Sequence, residues 1–156
     1  SIDEFVNLMN HEAASIGAVD THFTNPHGMT DEAHYTTAYD LYLIMNEAIK
    51  YPEFRTICGT KTFIAEFMDN VTDERGNPLA ISKTWDSTNL YLTGEHELRS
   101  DLKIIGCKTG TTMAAGKCMV LAVEDETGKD YIEVVLNSGS KDSLYDNLDF
   151  LSSGIE

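Results

Sequence analysis

Gly106-Cys107-Lys108-Thr109-Gly110-Thr111-Thr112, followed by Ala115-Gly116-Lys117-Cys118, is the stretch that decides the fold. Ile104 and Ile105 lead into it, and the apolar run Met119-Val120-Leu121-Ala122-Val123 leaves it. After a turn at Thr127-Gly128-Lys129 comes a further β-rich run, Tyr131-Ile132-Glu133-Val134-Val135-Leu136. Short β-rich runs separated by glycine-containing turns predict three antiparallel strands. Within the first, Lys108 offers an ammonium, Thr109 a hydroxyl and Gly110 a backbone that a ligand can approach closely. Together they make a small carboxylate-binding shelf. The plainer reading is a solvated strand lysine, because Lys-Thr-Gly is a tripeptide that chance supplies often.

Upstream, the pattern is helical. Ser1-x-x-Glu4 has the form of a capping box, and Ile2, Phe5, Val6, Met9, Ala13 and Ile16 recur at helical spacing until Gly17 stops the run. A polar loop follows. Thr37-x-x-Asp40 opens a second helix with Leu41, Ile44, Met45, Ala48 and Ile49 on one stripe; Pro52 ends it, and a short helical turn runs to Cys58-Gly59. Asp40 reads as a helix-start carboxylate. Residues 60–67 alternate weakly and are read as a strand, 69–80 as a loop around Gly76-Asn77-Pro78, and Trp85 with Leu90 to Leu92 as a packed connection. The periodic residues Leu144, Leu148 and Leu151 predict a closing helix, with an N-cap in the serines before it. The fold class expected is therefore α+β: helices in the N-terminal half, then a three-stranded antiparallel sheet and a C-terminal helix. Residues 1–156 are read as a single domain.

Composition narrows the partners. Eleven Lys and Arg against twenty-six Asp and Glu leave a formal charge of −15, which repels nucleic-acid backbones and anionic lipid at long range. No apolar run approaches the roughly 18 residues of a spanning helix. Three cysteines, Cys58, Cys107 and Cys118, have no Cys-x-x-Cys spacing and predict neither a zinc site nor a disulfide framework; Cys107 and Cys118 read as small buried hydrophobes. His22, His27 and His34 share one loop with Asp20 and Asp31, but fit no standard zinc spacing, and Asn25-Pro26-His27-Gly28 reads as turn chemistry.

Phe5-Val6-x-x-Met9-Asn10, Thr21-x-Phe23-x-Asn25-Pro26-His27-Gly28-Met29, Thr36-Thr37-Ala38-x-Asp40-Leu41, Trp85-x-Ser87-Thr88-Asn89-x-x-Leu92 and the Lys108 stretch occur in this order. In order and spacing the chain resembles the serine-type D-alanyl-D-alanine carboxypeptidases, the low-molecular-mass penicillin-binding proteins. The resemblance implies an incomplete β-lactamase/transpeptidase-like fold, the C-terminal portion of a penicillin-binding catalytic domain. It implies hydrolysis of a terminal D-Ala-D-Ala peptide through an acyl-enzyme, with no metal and no organic cofactor. The partners it implies are peptidoglycan stem peptides and β-lactams, in an extracytoplasmic setting, secreted or membrane-anchored. Lys108, Thr109 and Gly110 would bind substrate; the backbone N–H of Thr111 would be an oxyanion donor.

In that family the nucleophilic Ser-x-x-Lys and a Ser-x-Asn both precede the Phe5-Val6 helix, and neither stands at such a place among these residues. The chain alone is therefore expected to be inactive. Look-alikes occur out of order. Ser138-Gly139-Ser140-Lys141 falls between a strand and a helix, and Ser87-Thr88-Asn89 lies in a connection. Without its N-terminal partner strands the sheet is expected to expose Ile132, Val134 and Leu136 and to self-associate. Two other readings stay open: a non-catalytic peptidoglycan-binding module, and an unrelated α+β domain whose loop histidines bind metal.

Overall fold

Local capping chemistry starts each long helix. In the computed structural model, which describes residues 1–155 with the side chains of Asp69 and Asn70 left outside the description, Ser1 caps α1 (Ile2–Ser15) in a reciprocal box with Glu4. Thr37 caps α2 (Ala38–Ala48), its hydroxyl accepting from Asp40 N at 3.0 Å. Pro52 opens α3 (Pro52–Cys58), where a missing N–H costs nothing. Then come β1 (Thr62–Thr72), β2 (Pro78–Asp86), the single turn α4 (Leu90–Thr93), β3 (Leu102–Thr112), β4 (Gly116–Asp125), β5 (Asp130–Ser138) and α5 (Lys141–Ser152). Ser140 caps α5, accepting from Ser143 N at 3.0 Å.

The strands form two antiparallel sheets, β1-β2 and β3-β4-β5. β4 is the centre of the larger one and is buried on both faces, which is why 119–123 is apolar without interruption. Met119, Leu121 and Val123 face Tyr91, Leu144, Tyr145 and Leu148, while Val120 and Ala122 face Met45 of α2 and Ile49, which caps its C-terminus. The sheet is thus sandwiched between α5 and α2. Each fully buried leucine contributes about 1.5–3 kcal/mol of transfer free energy. Gly106 allows the α2 side to close on β3: a Cβ there would lie 3.1 Å from the Phe54 ring and 3.4 Å from Ile49.

Four expectations need correction. Residues 69–80 are not all loop: β1 continues to Thr72 and β2 begins at Pro78, so the turn is only 73–77, built on Asp73, whose carboxylate accepts from Arg75 N and Asn77 N. Proline suits the first residue of an edge strand, so Pro78 did not mark a longer loop. Trp85 is not packed into a connection; it lies in β2, 46% exposed, its ring stacked near Phe63 at 6.4 Å. Cys118 is only partly buried, although Cys107 is buried. Ile132 and Val134 are partly covered by packing against the α2 cluster, and Leu136 is also partly buried, because α2 lies over that face of β5. Among the described residues no helix is long and apolar enough to cross a membrane.

Candidate active site

β3 is an outer strand of its sheet, and its segment Lys108–Thr111 lies between two cavities of opposite character. Successive strand residues point to opposite faces. On the α5 side a cavity of about 520 Å³ is lined by Thr88, Thr109, Thr111, Lys117, Lys141 and Tyr145 among others. On the α2 side a cavity of about 370 Å³ is apolar, lined by Phe23, Leu41, Ile44, Phe54 and Leu136 among others. Lys108, Thr109 and Gly110 border both. The Lys108 ammonium donates to the carbonyl of Thr109.

The floor of the polar cavity is built by residues far apart in sequence. Thr88 Oγ1 and Thr109 Oγ1 are 2.5 Å apart. Thr88 is held there because α4 is tied to α5: Leu90 N donates to the Tyr145 hydroxyl at 2.7 Å, and the Tyr91 hydroxyl donates to Asp149 at 2.7 Å. His96 Nε2 lies 2.8 Å from the other Asp149 oxygen. Asn89 is fully buried, its Oδ1 accepting from Tyr91 N at 3.0 Å. Burial, then the neighbouring Asp149 carboxylate, push the Tyr91 hydroxyl far above its ordinary value, so it stays a donor. Burial likewise raises the Cys107 thiol beneath Lys108. Cys107 Sγ donates to the Cys58 carbonyl at 3.3 Å, which joins the end of α3 to β3.

The four residues singled out from sequence, Lys108, Thr109, Gly110 and Thr111, are together on one strand edge. Neither look-alike motif forms a helix turn. Ser138 ends β5 with its Oγ buried and Lys141 starts α5, while Ser87 Oγ accepts from Asn89 N at 3.2 Å in the β2–α4 connection. The loop histidines are taken up by their own loop: His22 Nδ1 is 2.7 Å from the Ala33 carbonyl, His34 Nδ1 accepts from Thr24 N, and His27 Nδ1 accepts from Met29 N. Among the described residues no group of three or more His, Cys, Asp or Glu is placed to hold a metal. Asp40 is buried and accepts from the Thr21 hydroxyl at 2.7 Å, a structural tie between the loop and α2. Sequence reasoning did not find Thr88, Lys117, Lys141 or Tyr145 as cavity residues. The one available signal was register, since Lys117 stands opposite Thr111 in the β3–β4 ladder.

Residues 1–140 match the peptidase S11 family profile described as D-alanyl-D-alanine carboxypeptidase. A D-alanyl-D-alanine carboxypeptidase of Streptomyces sp. (strain K15) is 32% identical over 139 residues, covering 89% of this chain and 44% of the relative. The chain therefore spans less than half the length of that relative. Among solved structures, a serine-to-alanine mutant of the Streptomyces K15 DD-transpeptidase superposes with a TM-score of 0.82 at 30% identity, over 97% of this chain and 54% of the other. A D-alanyl-D-alanine carboxypeptidase from Mycobacterium tuberculosis H37Rv gives 0.74 at 26% identity, over 97% and 52%.

Proposed function

The chain belongs to the D-alanyl-D-alanine carboxypeptidase family, and we propose that residues 1–156 are the C-terminal portion of one transpeptidase-like domain, whose β3 edge binds the substrate of a serine D-Ala-D-Ala carboxypeptidase. The observation that carries this reading is the open strand edge bearing Lys108, Thr109 and Gly110 between a polar and an apolar cavity. An acyl-D-Ala-D-Ala peptide laid along that edge puts its terminal carboxylate against the Lys108 ammonium and the Thr109 hydroxyl, a charge-assisted pairing. Gly110 has nothing within 4 Å of where a Cβ would stand, so backbone can lie against it.

Strand geometry supports the Thr111 N–H as the oxyanion donor. The Thr109 carbonyl accepts from the Lys108 side chain, so it faces away from β4. In a regular antiparallel ladder residues two apart face the same way, which turns the Thr111 N–H to the same open edge. There it donates to the carbonyl oxygen as attack makes it an oxyanion. A serine hydroxyl forms the acyl bond, its proton passes to the leaving amine of D-alanine, and water hydrolyses the ester to return the serine. No metal or organic cofactor enters. The serine is assigned to protein outside these residues, because the Ser-x-x-Lys patterns here, Ser100–Lys103 and Ser138–Lys141, both follow the Phe5-Val6 helix instead of preceding it. The setting is extracytoplasmic, where peptidoglycan stem peptides and β-lactams are met. A second reading is binding of stem peptides without cleavage, for which the Lys108-Thr109-Gly110 edge alone would serve.

Two measurements test these assignments. The 156 residues alone, incubated with a fluorescent penicillin, should show no covalent adduct by intact mass; an adduct on Ser138 or Ser87 would overturn the reading. In the full-length protein, Lys108→Ala should lower acylation by about 1.5–3 kcal/mol, the worth of a charged hydrogen bond. Full-length protein that binds stem peptide but never acylates would establish the second reading. Self-association is proposed through the outer edge of β5, unpaired among the described residues. Light scattering at increasing concentration should show the mass rise.

A further inference from the structure

Thr88 and Thr109 both line the polar cavity, their hydroxyl oxygens 2.5 Å apart, and either oxygen can be the donor. Each hydroxyl has one proton to give and two lone pairs with which to accept. With no ligand bound, both directions of this bond are open. An anion at Thr109 removes that freedom. A carboxylate only accepts, so the Thr109 hydroxyl binds one by giving it its single proton. That proton cannot then serve Thr88, and the bond between the two threonines survives only with Thr88 as donor. In the reverse direction the lone pairs of Thr109 would face the anion.

Thr88 is held for this bond from both sides. Ser87 N donates to the carbonyl of Lys61, the residue before β1, at 2.8 Å, which fixes the chain ahead of Thr88. Beyond it, the buried Asn89 caps α4 through its Oδ1, and Leu90 N donates to the Tyr145 hydroxyl at 2.7 Å. Thr109 is fixed in turn by the β3–β4 ladder, opposite Met119. Thr88 itself is exposed, yet its backbone is anchored at the residues before and after it. An anchored hydroxyl has little conformational entropy left to lose when a ligand arrives.

We infer that Thr88 is a positioning residue: by donating to Thr109 Oγ1 it aims the one Thr109 proton at the substrate's terminal carboxylate. The inference rests on the proposed function, which puts that carboxylate against Lys108 and Thr109, and adds a second hydroxyl that acts through the first. Hydrogen bonds in series polarise one another, and the last of this series ends on an anion, which makes it charge-assisted. The effect is confined to ligands that carry the carboxylate. A substrate without it makes no demand on the direction of the Thr109 proton.

The test uses the full-length protein and two acyl donors that share one acyl-D-Ala portion. One ends in a second D-alanine; the other is the methyl thioester, which has no terminal carboxylate. Attack by the serine releases D-alanine from the first and methanethiol from the second. The ratio of kcat/KM for peptide over thioester should fall about fivefold in Thr88→Val, chiefly through KM for the peptide, as expected for a neutral hydrogen bond of about 1 kcal/mol. Thr88→Ser, which keeps the hydroxyl, should hold the parent's ratio. In a Thr109→Val background the ratio should already be low, and Thr88→Val should lower it no further, because the proton it aims is gone. A ratio unchanged in Thr88→Val, a ratio lowered as much by Thr88→Ser, or losses that multiply in the double variant would overturn the inference. A ratio that depends on Thr109 but not on Thr88 ends this inference alone. Wild-type protein that cleaves neither donor ends the proposed function along with it.

Discussion

The β3-β4-β5 sheet and the β1-β2 ribbon are made of strands of similar length, yet they occupy opposite ends of the range of burial. β4 has five consecutive buried residues, covered by α5 on one side and α2 on the other. Among the described residues the ribbon's eleven- and nine-residue strands have no covering layer: Phe63, Ile64, Phe67, Met68, Leu79 and Trp85 are all exposed. Its pairs place Phe63 and Phe67 opposite Trp85 and Ile81 on one face, with Ile64 and Met68 on the other. Backbone pairing alone makes a strand, but stability comes from the third layer, and an isolated two-stranded ribbon is marginal in water. The difference teaches that this molecule concentrates its stability in the element that also carries the candidate site.

The largest expected effect tests that concentration. Leu148 is fully buried between α5 and the sheet, so Leu148→Ala should cost about 2–5 kcal/mol in urea unfolding, from lost transfer energy and the cavity left behind. A loss below about 1 kcal/mol would mean that α5 is not part of the cooperative core. Lys108→Ala on the same sheet is exposed and should leave unfolding within about 0.5 kcal/mol while it damages acylation, separating site from scaffold.

A smaller effect comes from the one buried acid of the sheet. Glu133 is buried on β5, with Oε1 accepting from the Ser152 hydroxyl at 2.6 Å and Oε2 without a partner. Burial raises its carboxyl above the ordinary value. The folded state therefore holds this proton more tightly than the unfolded chain, and stability from this group is present at pH below about 4.5 and declines as pH rises through the raised value. Glu133→Gln should flatten that decline, with the variant gaining on the parent as pH rises. Parallel stability-pH curves would show that solvent reaches the carboxylate. The smallest effect belongs to the ribbon: Ile64 is 59% exposed, so Ile64→Ala should shift unfolding by no more than about 0.5 kcal/mol. A core-sized loss there would mean that a partner or a second copy covers the ribbon.

Helix starts were legible because capping chemistry acts within one turn: Ser1, Thr37 and Ser140 each bond a backbone N–H three residues on. The three strands were legible because 119–123 and 131–136 are apolar or β-branched runs bounded by turns, and Asp125 organises the second turn by accepting from Thr127 N and Lys129 N. The extent of the ribbon was not, since Asp73, Gly76 and Pro78 carry loop chemistry whether the turn is five residues long or twelve. The closure of Ile132 and Val134 was missed for another reason. It depends on α2, more than eighty residues earlier, lying over β5.

The sequence by itself determined the order of elements, the period of each, the Lys108-Thr109-Gly110 segment of β3 and the family that its motifs resemble, all of which rest on residues near one another in the chain. Only the tertiary structure decided what converges on that segment. Thr88 reaches Thr109 across 21 residues, the Tyr145 hydroxyl fixes Leu90 across 55, and Lys117 stands opposite Thr111 because the β3–β4 ladder has one register and not its neighbour. Local preferences set the conformation of each segment, whereas these meetings depend on which layers bury one another and in what register, and a shift of one residue would turn Lys117 to the other face.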